Sequence, residues 1–175
     1  MRIQLLLASV SIVLAAAGQV TSADQVVAPT ARPLSPQFET LKSLVGNWEA
    51  TSSTRPDQKI PMTFRVGAGQ TVVVQTVRPG EQGEMFTVFH PDRSELRATH
   101  FCSSGTQPRL KAVASADPTV IRFEFVDVTN LADPNSRHLR TFDIHLIDSG
   151  HHVQEWNWID DGKLTTATLD VRRTR

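Results

Sequence analysis

Apolar and polar residues alternate along most of the chain after Gly46, in short runs that turn-forming residues separate. Side chains of a β-strand point to opposite faces in turn, so a period of two over about 4–8 residues predicts a half-buried strand. The predicted strands are 47–54, 60–66, 71–78, 85–90, 95–101, 109–115, 120–128, 138–147, 153–159 and 164–172. About ten strands joined by hairpin-length links predict an all-β fold, an antiparallel up-and-down barrel that closes on itself.

A helical period precedes the first strand. The apolar residues at helical spacing are Phe38, Leu41, Leu44 and Val45. Ser35 is a suitable N-cap, Pro36 suits the first helical turn, and Gly46 is typical of a helix end. The sequence therefore predicts a short N-terminal helix that packs against one end of the barrel.

The N-terminus has the layout of a secretory signal peptide. A basic start precedes an apolar run over residues 3–17, and small residues follow up to Ala23. The run is shorter than the roughly 18–20 residues of a membrane-spanning helix, so a retained anchor is the weaker alternative. We predict a signal peptide over 1–23, an extended leader over 24–34, and one barrel domain over 35–175. The mature protein is then periplasmic or secreted, with no membrane span.

Charge and cysteine content narrow the function classes. The chain has 18 Lys and Arg against 18 Asp and Glu, and the basic residues are scattered. Nucleic acids and anionic membranes need a clustered basic face, so neither is an expected partner. Cys102 is the one cysteine, so the barrel has no internal disulfide. The sequence sets no oligomeric state.

Two motifs at the ends of the barrel resemble those of calycin barrels, the group of lipocalins, fatty-acid-binding proteins and nitrobindin-like proteins. Gly46-Asn47-Trp48 opens the first strand, and Arg172-Arg173 closes the last. In calycins a basic residue of the last strand stacks on the tryptophan of a Gly-x-Trp motif and seals the closed end. The resemblance implies that Gly46, Trp48 and Arg172 form a structural floor.

Longer segments resemble an uncharacterised family of bacterial lipocalin-like domains. They cover 85–90, 99–109, 123–131 and 154–158. This resemblance implies the barrel fold and a periplasmic setting, but no activity. Relatives often carry His-x-His where this chain has His138-Leu139-Arg140, and this departure weakens a metal site carried over from the family.

Alternation and antiparallel order bring a set of polar and aromatic residues to the end of the barrel opposite the helix. The candidate ligand-binding residues are His100, Cys102, Gln107, Arg109, Asp127, His138, Arg140, Trp156 and Trp158. We expect the tryptophans on the inward face of their strand, and Asp127 paired with Arg109 or Arg140. The favoured hypothesis is a barrel that binds a small, mostly apolar molecule, with an anionic head held by the arginines and histidines.

Two alternatives stay open. The first is metal-assisted or acid–base catalysis by His100, Cys102, Asp127 and His138. Of these, His100, Cys102 and His138 are the candidate metal ligands, with zinc or haem as the conceivable cofactor, although the sequence assigns none. The barrel interior can also be simply filled, which gives the protein a structural role in the cell envelope. His151-His152 is interpreted as a solvated pair in a turn at the floor.

Overall fold

The computed structural model describes residues 35–175 as one short helix and ten strands. The elements are α1 (Pro36–Ser43), β1 (Gly46–Ser52), β2 (Arg55–Gly67), β3 (Val72–Val77), β4 (Met85–Asp92), β5 (Glu95–Phe101), β6 (Gln107–Val113), β7 (Val120–Thr129), β8 (His138–Asp148), β9 (His151–Asp160) and β10 (Lys163–Arg173), with a 3-10 turn at Ala68–Gln70. The predicted signal peptide (1–23) and leader (24–34) lie outside the described residues. Within 35–175, no helix has the length and apolar character to cross a membrane.

The strands form a closed antiparallel barrel in sequence order. Each strand pairs with its neighbours along the chain, and β1 pairs with β10 to complete the ring. The predicted all-β, ten-stranded up-and-down barrel is therefore confirmed. Because every strand has a partner on both sides, the barrel presents no strand edge for pairing with another chain.

Two predicted boundaries are wrong. The second strand was predicted to start at residue 60, but β2 starts at Arg55, which pairs with Ser52, so the reversal is confined to Ser53 and Thr54. The helix ends at Ser43 rather than at Gly46. At its start the prediction is confirmed, because the Ser35 hydroxyl accepts a hydrogen bond from the Phe38 amide at 3.2 Å.

The core fills the barrel from the helix upward. Three phenylalanines from β4, β7 and β8 pack against one another, with ring centroids of Phe89 5.4 Å from Phe123 and 6.2 Å from Phe142. Phe38 and Leu41 of α1 are fully buried, whereas Val45, predicted on the same apolar face, is 42% exposed. The helix therefore plugs one end of the barrel, which we call the floor, and the opposite end is the mouth.

The floor is sealed by Arg173, which corrects the predicted role of Arg172. The Arg173 guanidinium lies 4.2 Å from the centroid of the Trp48 ring, since these two residues are cross-strand partners on β10 and β1. Arg172 is one residue earlier and alternation turns it outward, where it pairs with Asp170. A Cβ on Gly46 would lie 2.6 Å from Arg173 Nη1, and Gly46 has a φ of +137°, so only glycine fits here without strain.

Hydrogen bonds fix this seal to the backbone. Arg173 donates from Nε to Ser149 O at 3.0 Å, from Nη1 to Val45 O at 2.8 Å and from Nη2 to Ser43 O at 3.1 Å. Trp48 Nε1 donates to Leu44 O at 2.7 Å. Carbonyls at the C-terminus of α1 thus accept hydrogen bonds from a cationic side chain, and a positive charge at this end also interacts favourably with the helix dipole.

His152 belongs to the core, so its interpretation as a solvated residue is wrong. Its side chain is fully buried, and its ring packs edge-on against Trp48 with centroids 4.6 Å apart. Desolvation by burial, helped by the nearby charges of His151 and Arg173, lowers the pKa of His152 from 6.5 to about 4. Only His151 lies near the surface, paired with Asp170 at 3.0 Å.

Candidate functional site

A half-open cavity of about 240 Å³ lies in the mouth of the barrel. Its lining residues come from the mouth ends of the strands and from the adjoining turns: Ser52, Thr54, Arg55, Ile60, Val77, Arg78, Met85, Arg137, Trp156, Trp158, Ala167 and Leu169. A larger groove of about 550 Å³ runs outside the wall beside α1, but its lining is mostly the exposed β8–β9 turn. The mouth cavity is the better candidate because large apolar side chains and a few polar groups converge there.

Two stacked tryptophans form one wall of the mouth cavity. The rings of Trp156 and Trp158 are nearly parallel, at 7°, with centroids 5.8 Å apart. Both side chains are buried on the inward face of β9, which confirms the predicted tryptophan face of this strand. Trp156 also packs on Phe142 at 4.4 Å, so the wall is fixed to the core. Such a surface suits a flat apolar group.

Three arginines, Arg55, Arg78 and Arg137, surround the cavity and are called the arginine rim. Arg137 lies over the Trp158 ring at 4.9 Å and pairs with Asp160 at 2.5 Å. Arg78 donates to Gln58 at 2.9 Å and pairs with the half-exposed Glu81 at 3.5 Å. Arg55 forms no salt bridge to any residue in 35–175. Among residues 35–175 no carboxylate lines the cavity itself, and the carboxylates of Asp160 and Glu81 pair with two of the rim arginines from outside the lining.

The arginine rim was missed at the level of sequence. Arg55 and Arg78 adjoin turn signals, Arg55-Pro56-Asp57 and Pro79-Gly80, and alternation says nothing about side chains beyond a strand end. Arg137 ends the long link 129–137, and long loops on a rigid β scaffold are where binding groups tend to collect. That loop length was the one signal that pointed to a rim residue.

Four buried polar side chains lie beneath the cavity, and we call them the polar belt: Gln75, Thr87, His100 and Gln154. Cross-strand pairing places Gln75, Thr87 and His100 in one row over β3, β4 and β5. Gln75 reaches across the lumen, where its Nε2 donates to Gln154 Oε1 on β9 at 3.0 Å. Gln154 Oε1 also accepts from Trp156 Nε1 at 3.1 Å, which links the belt to the tryptophan wall.

His100 is inside the barrel, as the alternation of β5 predicted. Its side chain is fully buried, and its ring packs edge-on against Trp156 at 5.1 Å and Trp158 at 5.6 Å. Thr87 Oγ1 and His100 Nδ1 share a hydrogen bond of 2.9 Å. Desolvation by burial lowers the pKa of His100 from 6.5 to about 3, so the ring is neutral at physiological pH. It cannot hold an anionic head by charge.

Arg109 and Asp127 lie on the outside of the barrel, which corrects their predicted inward placement. A β-bulge places Phe125 opposite Leu110 and Asp127 opposite Arg109, so one extra residue of β7 reverses the faces beyond it. Arg109 Nε and Nη2 donate to the two Asp127 oxygens at 2.5 and 2.7 Å. The expected pairing of Asp127 is present, but both side chains are about half exposed.

A second bulge displaces Arg140. The pairing of β8 with β9 shifts between Leu139 and Thr141, which leaves Arg140 exposed over the Phe125 ring at 4.5 Å. Leu139 rather than Arg140 occupies the buried position opposite Trp158. His138 is buried, but its Nδ1 shares a 2.7 Å hydrogen bond with Ser136 O, and it is not part of the cavity lining.

The β5–β6 loop holds the remaining predicted residues. Cys102 is half-buried against the core, and Ser104 Oγ donates to its sulfur at 3.1 Å. Gln107 donates to Gly105 O at 2.8 Å and accepts from Thr129 at 2.6 Å. These contacts hold the loop together, and neither predicted residue lines the mouth cavity.

The three candidate metal ligands, His100, Cys102 and His138, are not gathered into a metal site. Within residues 35–175, no group of three His, Cys, Asp or Glu side chains has a geometry that would hold a metal ion. His100 and His138 instead have separate partners in Thr87 and Ser136.

Comparisons with known proteins add the fold and no activity. No protein-family model matches the chain, and no curated protein matches it. Among solved structures, the crystal structure of Rv2717c from M. tuberculosis is similar, with a TM-score of 0.52 and 20% sequence identity over 81% of this chain and 99% of that chain. At this identity the likeness shows a shared ten-stranded antiparallel barrel, and the predicted membership in a lipocalin-like family stays a prediction.

Proposed function

We propose that the protein binds a small organic anion with an apolar, preferably flat body in the mouth cavity. The observation that carries this proposal is the composition of the lining: two stacked tryptophans and aliphatic side chains below, three arginines above, and no carboxylate. Arginine matches a carboxylate or phosphate with a planar fork of donors, and a cationic rim raises the local concentration of anions. The anionic head of the sequence hypothesis is thus retained, with other residues to hold it.

The size of the cavity limits the ligand. Its volume of about 240 Å³ is below the roughly 300–1,000 Å³ of pockets for drug-sized ligands. A single ring or a short chain fits better than a macrocycle or a long acyl chain. Export to the periplasm or beyond remains part of the proposal, and the ligand would then be met outside the cytoplasm.

The lining supports binding over acid–base catalysis. Within the part of the chain that the structure describes, the lining contains no His, Cys, Asp, Glu or Lys side chain, and so no side chain that commonly acts as a general acid or base. General acid–base catalysis needs such a group within hydrogen-bond reach of the substrate.

Calorimetric titration with matched pairs of probes tests the proposal. We expect benzoate and hexanoate to bind, and benzamide and hexanamide, which lack the charge, to bind at least about tenfold more weakly, a difference of about 1.4 kcal/mol. Added salt should weaken the binding of the two acids and leave the binding of the two amides unchanged, because it screens the charges of the exposed arginine rim.

Two sets of variants locate the site. Arg78→Gln and Arg137→Gln should each reduce benzoate affinity, whereas Arg109→Gln and Arg140→Gln are matched controls with guanidinium groups outside the cavity. Equal losses from all four would show attraction by net charge alone. No binding of any probe would contradict the proposal and favour a filled barrel with a structural role.

A further inference from the structure

The polar belt lies directly below the mouth cavity. On a strand, residues two apart face the same side at a spacing of about 6.5–7 Å. Gln75 is two residues from the cavity residue Val77, Thr87 is two from Met85, and Gln154 is two from Trp156.

The polar belt does not satisfy all of its own hydrogen-bonding groups. Gln154 is fully used, since Oε1 accepts from Gln75 and Trp156 and Nε2 shares a hydrogen bond with His152. Gln75 Oε1 and His100 Nε2, however, are completely buried and have no hydrogen-bond partner among the described residues. Both atoms belong to the row in which Thr87 separates them, so their Cα atoms are about 10 Å apart at two strand spacings.

A buried polar atom without a hydrogen-bond partner destabilises the fold, because nothing offsets the loss of its bonds to water. Closer to the floor, on β4, β7 and β8, the barrel interior is filled by Phe89, Phe123 and Phe142, which need no hydrogen-bond partner. Because buried polar groups are normally hydrogen-bonded, the unpaired atoms of Gln75 and His100 require an explanation. The best explanation is a hydrogen-bond partner from outside the chain. Both groups are neutral, so the matching partner is a neutral polar group that can donate to an amide oxygen.

We propose that the polar belt is the deep half of the ligand site and receives a hydroxyl group at the end of the ligand opposite its anion. A hydroxyl donates to Gln75 Oε1 and can accept from or donate to its second neighbour, so it suits either tautomer of His100. This inference rests on the proposed function and narrows its ligand to small hydroxy acids, with a phenol carboxylate as the simplest flat example. Met85 lies between cavity and belt, and its unbranched side chain can change rotamer to admit the hydroxyl.

Titration of the full chain with three benzoates of graded chemistry tests the inference. We expect 4-hydroxybenzoate to bind at least about tenfold more tightly than 4-methylbenzoate, which has a similar shape and no hydrogen bond to offer. Benzoate itself separates the two proposals. If benzoate binds but the hydroxyl and methyl compounds are equal, the belt inference fails and the proposed function stands; if no benzoate binds, both fail.

Variants of the belt provide the second arm. Gln75→Met keeps the length of the side chain and removes the amide, so the preference for the hydroxyl compound over the methyl compound should disappear. A preference that persists in Gln75→Met and in His100→Phe would overturn the inference.

Nuclear magnetic resonance of the unmodified protein avoids any dependence on how variants fold. The ¹⁵N resonance of His100 Nε2 should shift when 4-hydroxybenzoate is added and stay in place with 4-methylbenzoate, because only the hydroxyl forms a hydrogen bond to it. Saturation with both compounds and no difference at Nε2 would place the hydroxyl elsewhere.

Discussion

The two ends of the barrel carry the same pair of residue types in different settings. At the floor, Arg173 lies 4.2 Å over Trp48 and donates to three backbone carbonyls. At the mouth, Arg137 lies 4.9 Å over Trp158 and makes one bond, to the half-exposed Asp160. The comparison teaches that an arginine–tryptophan stack seals a barrel when backbone carbonyls accept from all the donors of the arginine. Where they do not, as at the mouth, the arginine keeps donors for the ligand proposed above.

Removal of the floor tryptophan should have the largest effect. We expect Trp48→Ala to lower the free energy of unfolding by about 3–5 kcal/mol, because the ring is buried against α1, Phe64 and His152. Urea unfolding measures this loss. Binding of benzoate by the fraction that remains folded should persist, since Trp48 does not line the mouth cavity; loss of both would show that the ends are not independent.

Removal of the floor arginine comes next. Arg173→Ala should lower the free energy of unfolding by about 2 kcal/mol, because three charged hydrogen bonds and one stack are lost at a partly hydrated site.

Gly46→Ala should lower the free energy of unfolding by about 1–3 kcal/mol, because of the strained φ and the clash with Arg173. In the double variant the clash disappears and the strain remains, so the combined cost should be less than the sum. Additive costs would mean that the close approach is unimportant.

Acid should lower the stability of the fold at both ends of the barrel, because each end contains one buried histidine. The folded-state pKa of His152 is about 4 and that of His100 about 3, both below the ordinary value of 6.5. The unfolded chain therefore binds more protons below pH 6.5, so stability is complete above this pH and falls as the pH drops toward 4. Each histidine contributes a slope of at most about 1.4 kcal/mol per pH unit.

Unfolding in urea between pH 7 and pH 4.5 measures this slope. His152→Gln should remove the contribution of the floor and leave that of His100, and an unchanged slope would show that carboxylates, not buried histidines, govern acid sensitivity.

The mouth arginine should matter least for stability. We expect Arg137→Ala to change the free energy of unfolding by less than about 1 kcal/mol, because its ion pair with Asp160 is half exposed. Thermal unfolding of Arg137→Ala beside Arg173→Ala makes the comparison direct. Equal destabilisation by the two would remove the distinction between a sealed end and a binding end.

The fold was predictable because its signals are local. A period of two, interrupted by turn residues, is fixed by the backbone of a strand, and it located all ten strands. The burial of His100, Trp156 and Trp158 follows from the same rule. The Gly-x-Trp motif likewise located the floor, although a shift of one residue decided that Arg173 and not Arg172 stacks on Trp48.

The site was less predictable because bulges are invisible to alternation. One extra residue in β7 turned Asp127 outward, and one in β8 did the same to Arg140. The arginine rim depends on how turns fold back over the mouth, and the pattern of a strand contains no information on this. Burial of His152 was missed because the pair His151-His152 was assigned to a turn, whereas both residues belong to β9.

The pairing of the first strand with the last also sets the order of events during synthesis. Trp48 pairs with Arg173, which lies 125 positions later in the chain, so the ring of strands cannot close on a partial chain. Until then β1 has a free side, and the hairpins already formed expose the edge that closure later removes. Long-range pairing of this kind is slow relative to local hairpins. The emerging chain is therefore most prone to aggregation just before its last strand is complete.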